Sequence, residues 1–104
     1  MYQAFSHIQT VAGATDKIEL WVGETGFPSA GTTYQNAVPS VAAAARYYQE
    51  AFCAIQRWGI NAFFFEAFDE PWKPVSKGQD GSVADETHWG AMNADRSTKY
   101  SLTC

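Results

Sequence analysis

The chain has 104 residues, 46% hydrophobic, 15% aromatic and 17% charged, a composition that excludes a disordered tail and fits one domain, 1–104. Seven Lys and Arg against eleven Asp and Glu leave a net charge of −4, with no basic patch to neutralise a phosphate backbone, so no nucleic-acid partner is expected. No apolar run approaches the roughly 18 residues that span a bilayer, and Gln3, Ser6, His7 and Gln9 interrupt the start, so neither a membrane span nor a signal peptide is expected within this chain.

Phe5, Ile8 and Val11 recur at a spacing of three, which predicts an amphipathic helix over Tyr2–Val11 with Gly13 as its stop. Ile18 to Glu24 reads as a short buried strand, and Thr25 to Ala37, rich in Gly, Pro, Ser and Thr, as a loop. Pro39 opens an alanine-rich helix running to Trp58, with Gly59 as its C-terminal stop. Asn61 to Phe68 reads as a second buried strand. From Asp69 onward Pro71, Pro74, Gly78 and Gly81 argue for an extended loop, and a short helix fits near Asp95 to Ser101. A helix between two buried strands forms a βαβ unit, so the strands should be parallel. Two parallel strands cannot make a stable sheet alone, and the expected class is α/β, a piece of a larger fold.

Strand alternation places Ile18, Leu20, Val22 and Glu24 on one face, and Ala62, Phe64, Glu66, Phe68 and Glu70 on one face of the second strand. Both strands thus carry carboxylates near their C-terminal ends, where parallel α/β folds gather functional groups. The alternative is that these glutamates form surface ion pairs with Lys73 or Arg46. Phe27, Trp72 and Trp89 follow strand ends or lie in the loop-rich tail, and flat aromatic faces beside carboxylates suit a sugar ring; packing of loops onto the body is the other reading. Cys53 and Cys104 are too few for a four-ligand zinc site, and no metal is expected. They make either one bridge, suited to an oxidising compartment, or two free buried thiols.

Trp21-Val22-Gly23-Glu24-Thr25-Gly26-Phe27-Pro28-Ser29-Ala30-Gly31 resembles the nucleophile segment of glycoside hydrolase family 17. Phe65-Glu66-Ala67-Phe68-Asp69-Glu70-Pro71-Trp72-Lys73 is similar to the eighth-strand segment of its fungal branch, the cell-wall glucan β-1,3-glucosidases and glucanosyltransferases. Glu86-Thr87-His88-Trp89-Gly90 and Lys99-Tyr100 resemble that branch's C-terminus, so the likeness spans nearly the whole chain.

The resemblance implies the C-terminal part of a (β/α)8 TIM barrel, strands 7 and 8 with the intervening helix. It also implies retaining action on β-1,3-glucan without metal or cofactor, in a secreted or cell-wall protein. By similarity Glu24 is the nucleophile. Glu70 and Lys73 match an auxiliary Glu-x-x-Lys pair beside it, and Glu66 shares the same mouth. Phe27, Trp72 and Trp89 would bind substrate. The family usually has Trp where this chain has Phe27, which keeps an aromatic face and loses an N–H donor. The family's general acid lies in an Asn-Glu pair after the fourth strand, and no such segment occurs here. A barrel needs about 250 residues, so the expected product is a fragment whose partner is the missing barrel portion, glucan or a second copy. A non-catalytic glucan-binding or interaction protein derived from a truncated glucanase is the alternative.

Overall fold

The computed structural model describes residues 1–12 and 19–104. Its elements are helix α1 (Tyr2–Ala12), strand β1 (Trp21–Thr25), helix α2 (Val41–Tyr47), a π-helical turn (Tyr48–Phe52), helix α3 (Cys53–Arg57), and strands β2 (Asn61–Phe64), β3 (Ser76–Lys77) and β4 (Val83–Ala84). The expected stop at Gly13 and strand start at Ile18 lie outside the described residues.

β1 and β2 pair in parallel, with Trp21 opposite Asn61, Val22 opposite Ala62 and Thr25 opposite Phe64. The connection between them is therefore a crossover, as the βαβ pattern predicts. The crossover begins at Ser40 rather than Pro39. Ser40 is extended and its Oγ accepts a hydrogen bond from the Ala43 amide, satisfying a donor left free in the first turn. It ends where expected, with Gly59 at φ 71°. There the Gly59 amide donates to the Gln56 carbonyl and the Ile60 amide to that of Ile55, a pairing that satisfies two of the carbonyls left free in the last turn.

The helix is not uniform. In the π turn the Cys53 amide donates to the Tyr48 carbonyl, and the widened turn brings Tyr48, Phe52 and Cys53 into one buried cluster. Ala62, Phe64, Tyr100 and Leu102 pack against it. Rings of Tyr48, Phe52 and Phe64 stand 5.2 Å apart, pair by pair. The C-terminal stretch is held onto this helix by Tyr48 Oη donating to the Leu102 carbonyl and by the Gln49 side-chain amide donating to those of Ser101 and Thr103. Cys53 and Cys104 complete the attachment as a disulfide with Cα atoms 5.5 Å apart. A bridge across 51 residues restricts the unfolded chain by about 4 kcal/mol in a chain-entropy account.

The strands are not buried on both sides. The helix covers Ala62 and Phe64, but Trp21 and Phe63 stack on each other at 5.6 Å on the opposite face and are half exposed. A parallel pair needs cover on both faces, and no described residue covers this one. The helix over Tyr2–Val11 is present, yet Ile8 and Val11 are also exposed; its end meets the body through Tyr2, whose ring lies 5.3 Å from Trp58.

Three further expectations are corrected. The second strand stops at Phe64, so Glu66, Phe68 and Glu70 do not continue its alternation; Phe68 makes only a single bridge to Met92. The tail is not all loop, because β3 and β4 form an antiparallel hairpin. Its turn is closed by the Gly78 amide on the Ser82 carbonyl and by Asp80 accepting from the Ser82 amide. No helix forms at Asp95–Ser101. The Asn93 amide instead donates to the Ser97 carbonyl, and Asp95 accepts from the Ser97 amide, competing directly with helical bonding.

Candidate active site

Glu24 lies one residue from the C-terminal end of β1, but not on the face that alternation predicts. Two residues, Gly23 and Glu24, stand against the single Phe63 between the Val22–Ala62 and Thr25–Phe64 pairs. This bulge lets Thr25 take the covered position after Val22 and leaves Glu24 exposed. Thr25 is fixed there by a hydrogen bond between its Oγ1 and Tyr47 Oη, and by its carbonyl accepting from the Phe65 amide. Gly26 follows, and a Cβ at that position would overlap the Phe65 carbonyl. Glycine is what allows the two chains to approach so closely just beyond the strand ends. The Glu24 side chain makes no hydrogen bond or ion pair with any described residue.

Past β2 the chain gathers charge around one ammonium group. Lys73 Nζ lies 3.0 Å from both carboxylate oxygens of Glu66, 2.7 Å from Glu70 and 3.8 Å from Glu86. It also sits 4.4 Å above the Phe65 ring centroid, within cation–π range. Lys73 is thus the partner that the alternative reading names for Glu66 and Glu70, but the Glu66 side chain is 15% exposed and that of Lys73 21%, so their pair is not at the open surface. Arg46 pairs instead with Glu50, one helical turn along. Burial raises the Glu66 carboxyl above the ordinary glutamate range, Lys73 pulls it back down, and the Glu70 charge pushes it up again. The hydrogen bond to Glu70, reinforced by Glu66, holds Lys73 charged well above the usual lysine range.

In Lys73→Met the Glu66 carboxyl should therefore titrate higher than in the native chain, since burial and Glu70 remain while the counter-charge is gone. Carboxyl carbon NMR across the acidic range reads this directly, and an unmoved Glu66 titration would contradict the pairing. The sign for stability follows. A carboxyl raised on folding contributes stability that is full below its unfolded value and lost as pH rises through its folded value. The variant should accordingly keep losing stability to a higher pH than the native chain does.

Glu86 joins the cluster because the tail runs back alongside the segment after β2. The Glu66 amide donates to the Trp89 carbonyl, the Ala91 amide to that of Glu66 and the Met92 amide to that of Ala67. Trp89 thereby meets Phe65 edge to face at 5.8 Å. Phe27 and Trp89 line one cleft. Trp72 is not among its walls and is 72% exposed.

Beneath this surface lies a second charged group. Lys99 Nζ is 2.6 Å from Asp69 Oδ1 and 2.6 Å from Ser29 Oγ, and its side chain is 5% exposed. Asp69 Oδ1 also accepts from the Gly90 amide, and Ser29 donates through both amide and hydroxyl to the His88 carbonyl. Four segments are tied at one point: the loop after β1, the segment after β2, residues 88–90 and the C-terminal stretch. Among the described residues no group of three or more His, Cys, Asp or Glu could hold a metal ion, and no helix is long and apolar enough to cross a membrane.

A family model described as "Glycosyl hydrolases family 17" matches residues 1–104. A glucan 1,3-beta-glucosidase of Candida albicans is 48% identical over 102 residues, 98% of this chain and 32% of that protein. A glucan 1,3-beta-glucosidase of Saccharomyces cerevisiae is 44% identical over 98% of this chain and 31% of its own length. Among solved structures, an active-site mutant of the Rhizomucor miehei beta-1,3-glucanosyltransferase in complex with laminaritriose matches with a TM-score of 0.70 and 31% identity, covering 98% of this chain and 36% of that one. The chain thus spans about a third of the length of the curated relatives it matches. The family implies a TIM-barrel fold, with which a parallel pair joined by a helical crossover agrees. With its whole length matched by the family model, the chain belongs to glycosyl hydrolases family 17.

Proposed function

We propose that this chain is the C-terminal part, strands 7 and 8 with their connecting helix, of a retaining β-1,3-glucan hydrolase or transglycosylase. β1 and β2 are those strands in this reading, and Glu24 is the nucleophile. The observation that carries it is an exposed carboxylate at the C-terminal end of β1, beside a strand that runs directly into the Lys73-centred carboxylates. Catalytic groups of parallel barrels sit at that end.

In this mechanism a Glu24 oxygen attacks the anomeric carbon as the bond to the leaving oxygen breaks. A general acid outside this chain supplies the proton that the leaving oxygen takes up. The glycosyl ester is then cleaved by water, giving hydrolysis, or by an acceptor sugar, giving transglycosylation. Glu70 and Lys73 act as auxiliaries, the ammonium offsetting carboxylate charge so that an ionised nucleophile is tolerated nearby, and Glu66 anchors the ammonium. Neither metal nor cofactor is required by these steps. The uncovered Trp21–Phe63 face is where the remaining barrel, or a second copy, would pack. The disulfide suits secretion or a cell-wall setting, where such bonds persist.

The test is the stereochemistry of the first product. In a chain extended to the relatives' full length and given laminarin, proton NMR should show the β-anomer of the new reducing end appearing first. An initial α-anomer would rule out a double displacement through Glu24.

A further inference from the structure

The Glu24 side chain has no partner among the described residues, so its carboxylate is held only through the backbone on either side. Upstream stands Gly23, where an added Cβ would meet nothing within 4 Å. Downstream stands Thr25, buried at 7% exposure. The Thr25 carbonyl accepts from the Phe65 amide at 2.8 Å, and its Oγ1 is hydrogen-bonded to Tyr47 Oη. The brace on Glu24 is therefore one-sided. Thr25 in the covered position is also what turns Glu24 outward at the bulge.

Tyr47 is the last residue of α2, and its neighbour Tyr48 begins the π turn. Tyr48 is buried with its Oη on the Leu102 carbonyl, and Cys53 carries the bridge to Cys104. A helix anchored in this way offers a fixed point from which the Tyr47 hydroxyl reaches the end of β1. The Tyr47 ring also stacks on Phe27 at 5.8 Å, so one side chain meets residues on both sides of Gly26. A glutamate without partners keeps several staggered rotamers. Attack on an anomeric carbon needs reacting atoms aligned at about 3–3.5 Å, and a misplacement of about 1 Å can cost about 10²-fold.

We propose that Tyr47 is a positioning residue for the nucleophile. Its hydroxyl fixes Thr25, Thr25 fixes the bulge, and the bulge sets where the Glu24 carboxylate stands. Tyr47 acts through Thr25 and not on the substrate. The inference rests on the glucan reading above, and adds a residue that neither strand alternation nor local spacing singles out.

The experiment is steady-state kinetics on laminarin with a chain extended to the full length of its relatives. Tyr47→Phe keeps the ring on Phe27 and removes only the hydroxyl. It should lower kcat and kcat/KM alike by about 10–100-fold, with KM within about twofold of native. Thr25→Val should do the same, and Tyr47→Phe/Thr25→Val should lose no more than either single variant. Thr25→Ser, which retains the hydroxyl, should stay within about threefold of native. The loss should persist on a dinitrophenyl β-laminaribioside, whose leaving group departs without a proton, placing the defect at the nucleophile and not at the general acid. Native kcat in Tyr47→Phe, or losses that multiply in the double variant, would overturn the positioning role. A raised KM with kcat unchanged would overturn it too, by assigning Tyr47 to the support of Phe27 alone. Equal losses in Thr25→Ser and Thr25→Val would trace the effect to packing and have the same consequence. Failure of the native extended chain to act on either substrate would sink the glucan reading itself, and this inference with it.

Discussion

In a chain extended to the full length of its relatives, Lys99→Met should lower the unfolding free energy by about 3–5 kcal/mol, the usual consequence of removing one partner from a buried ion pair. Methionine nearly preserves the volume of the lysine stem, so little of the loss comes from a cavity. The loss comes from Asp69, whose carboxylate is 12% exposed and would keep only the Gly90 amide and, at 3.6 Å, His88. Ser29 would also lose the ammonium at its hydroxyl. Native proteins are stable by only about 5–15 kcal/mol, so the change should be conspicuous in urea unfolding. The double variant Asp69→Leu/Lys99→Met should recover much of the loss, because no buried charge then stands alone. A single-variant loss within about 0.5 kcal/mol, the ordinary range of surface substitutions, would show that the pair does not hold these segments together.

That cluster was not legible in the sequence. Ser29, Asp69 and Lys99 each lie in a segment that resembles the family, but they are separated by intervals of 40 and 30 residues and nothing local says that the three meet. The parallel pair and its crossover were legible, because apolar runs bounded by Gly59, Pro39 and the polar loop leave few other ways to bury Val22, Phe52 and Phe64. The face of Glu24 was misread for an identifiable reason. Alternation assumes a regular strand, while the bulge depends on the Thr25–Tyr47 hydrogen bond and on the close approach at Gly26, both long-range. The β3–β4 hairpin left a weak trace in Asp80-Gly81, a turn signal flanked by Val75 and Val83. Its strands of two residues are too short for alternation to appear. Glu70 and Lys73 were legible as a pair through the family's Glu-x-x-Lys resemblance, whereas Glu86 reached the cluster only through pairing of the tail with residues 66–69.

The second large effect concerns Glu24. In a chain extended to the full length of its relatives, Glu24→Gln should reduce turnover of β-1,3-glucan by about three orders of magnitude or more, as loss of a nucleophile does elsewhere. An amide cannot form the glycosyl ester, and the two-step route is closed. The 104-residue chain by itself should be nearly inactive. On the proposed assignment the general acid lies outside these 104 residues, and its loss alone costs about 10²–10⁴-fold. Absence of the walls that position the substrate removes part of a contribution that can reach roughly 7–11 kcal/mol. Glucan binding without turnover is thus the expected behaviour of the short chain.

The most direct measurement is release of reducing ends from laminarin by three purified proteins: the 104-residue chain, the extended chain, and the extended chain carrying Glu24→Gln. Negligible release from the first, turnover by the second and its collapse in the third are the predicted results. Sustained turnover by the 104-residue chain that disappears on Glu24→Gln would contradict the account, because Glu66 or Glu70 would then be serving as the acid and the site would be complete within these residues.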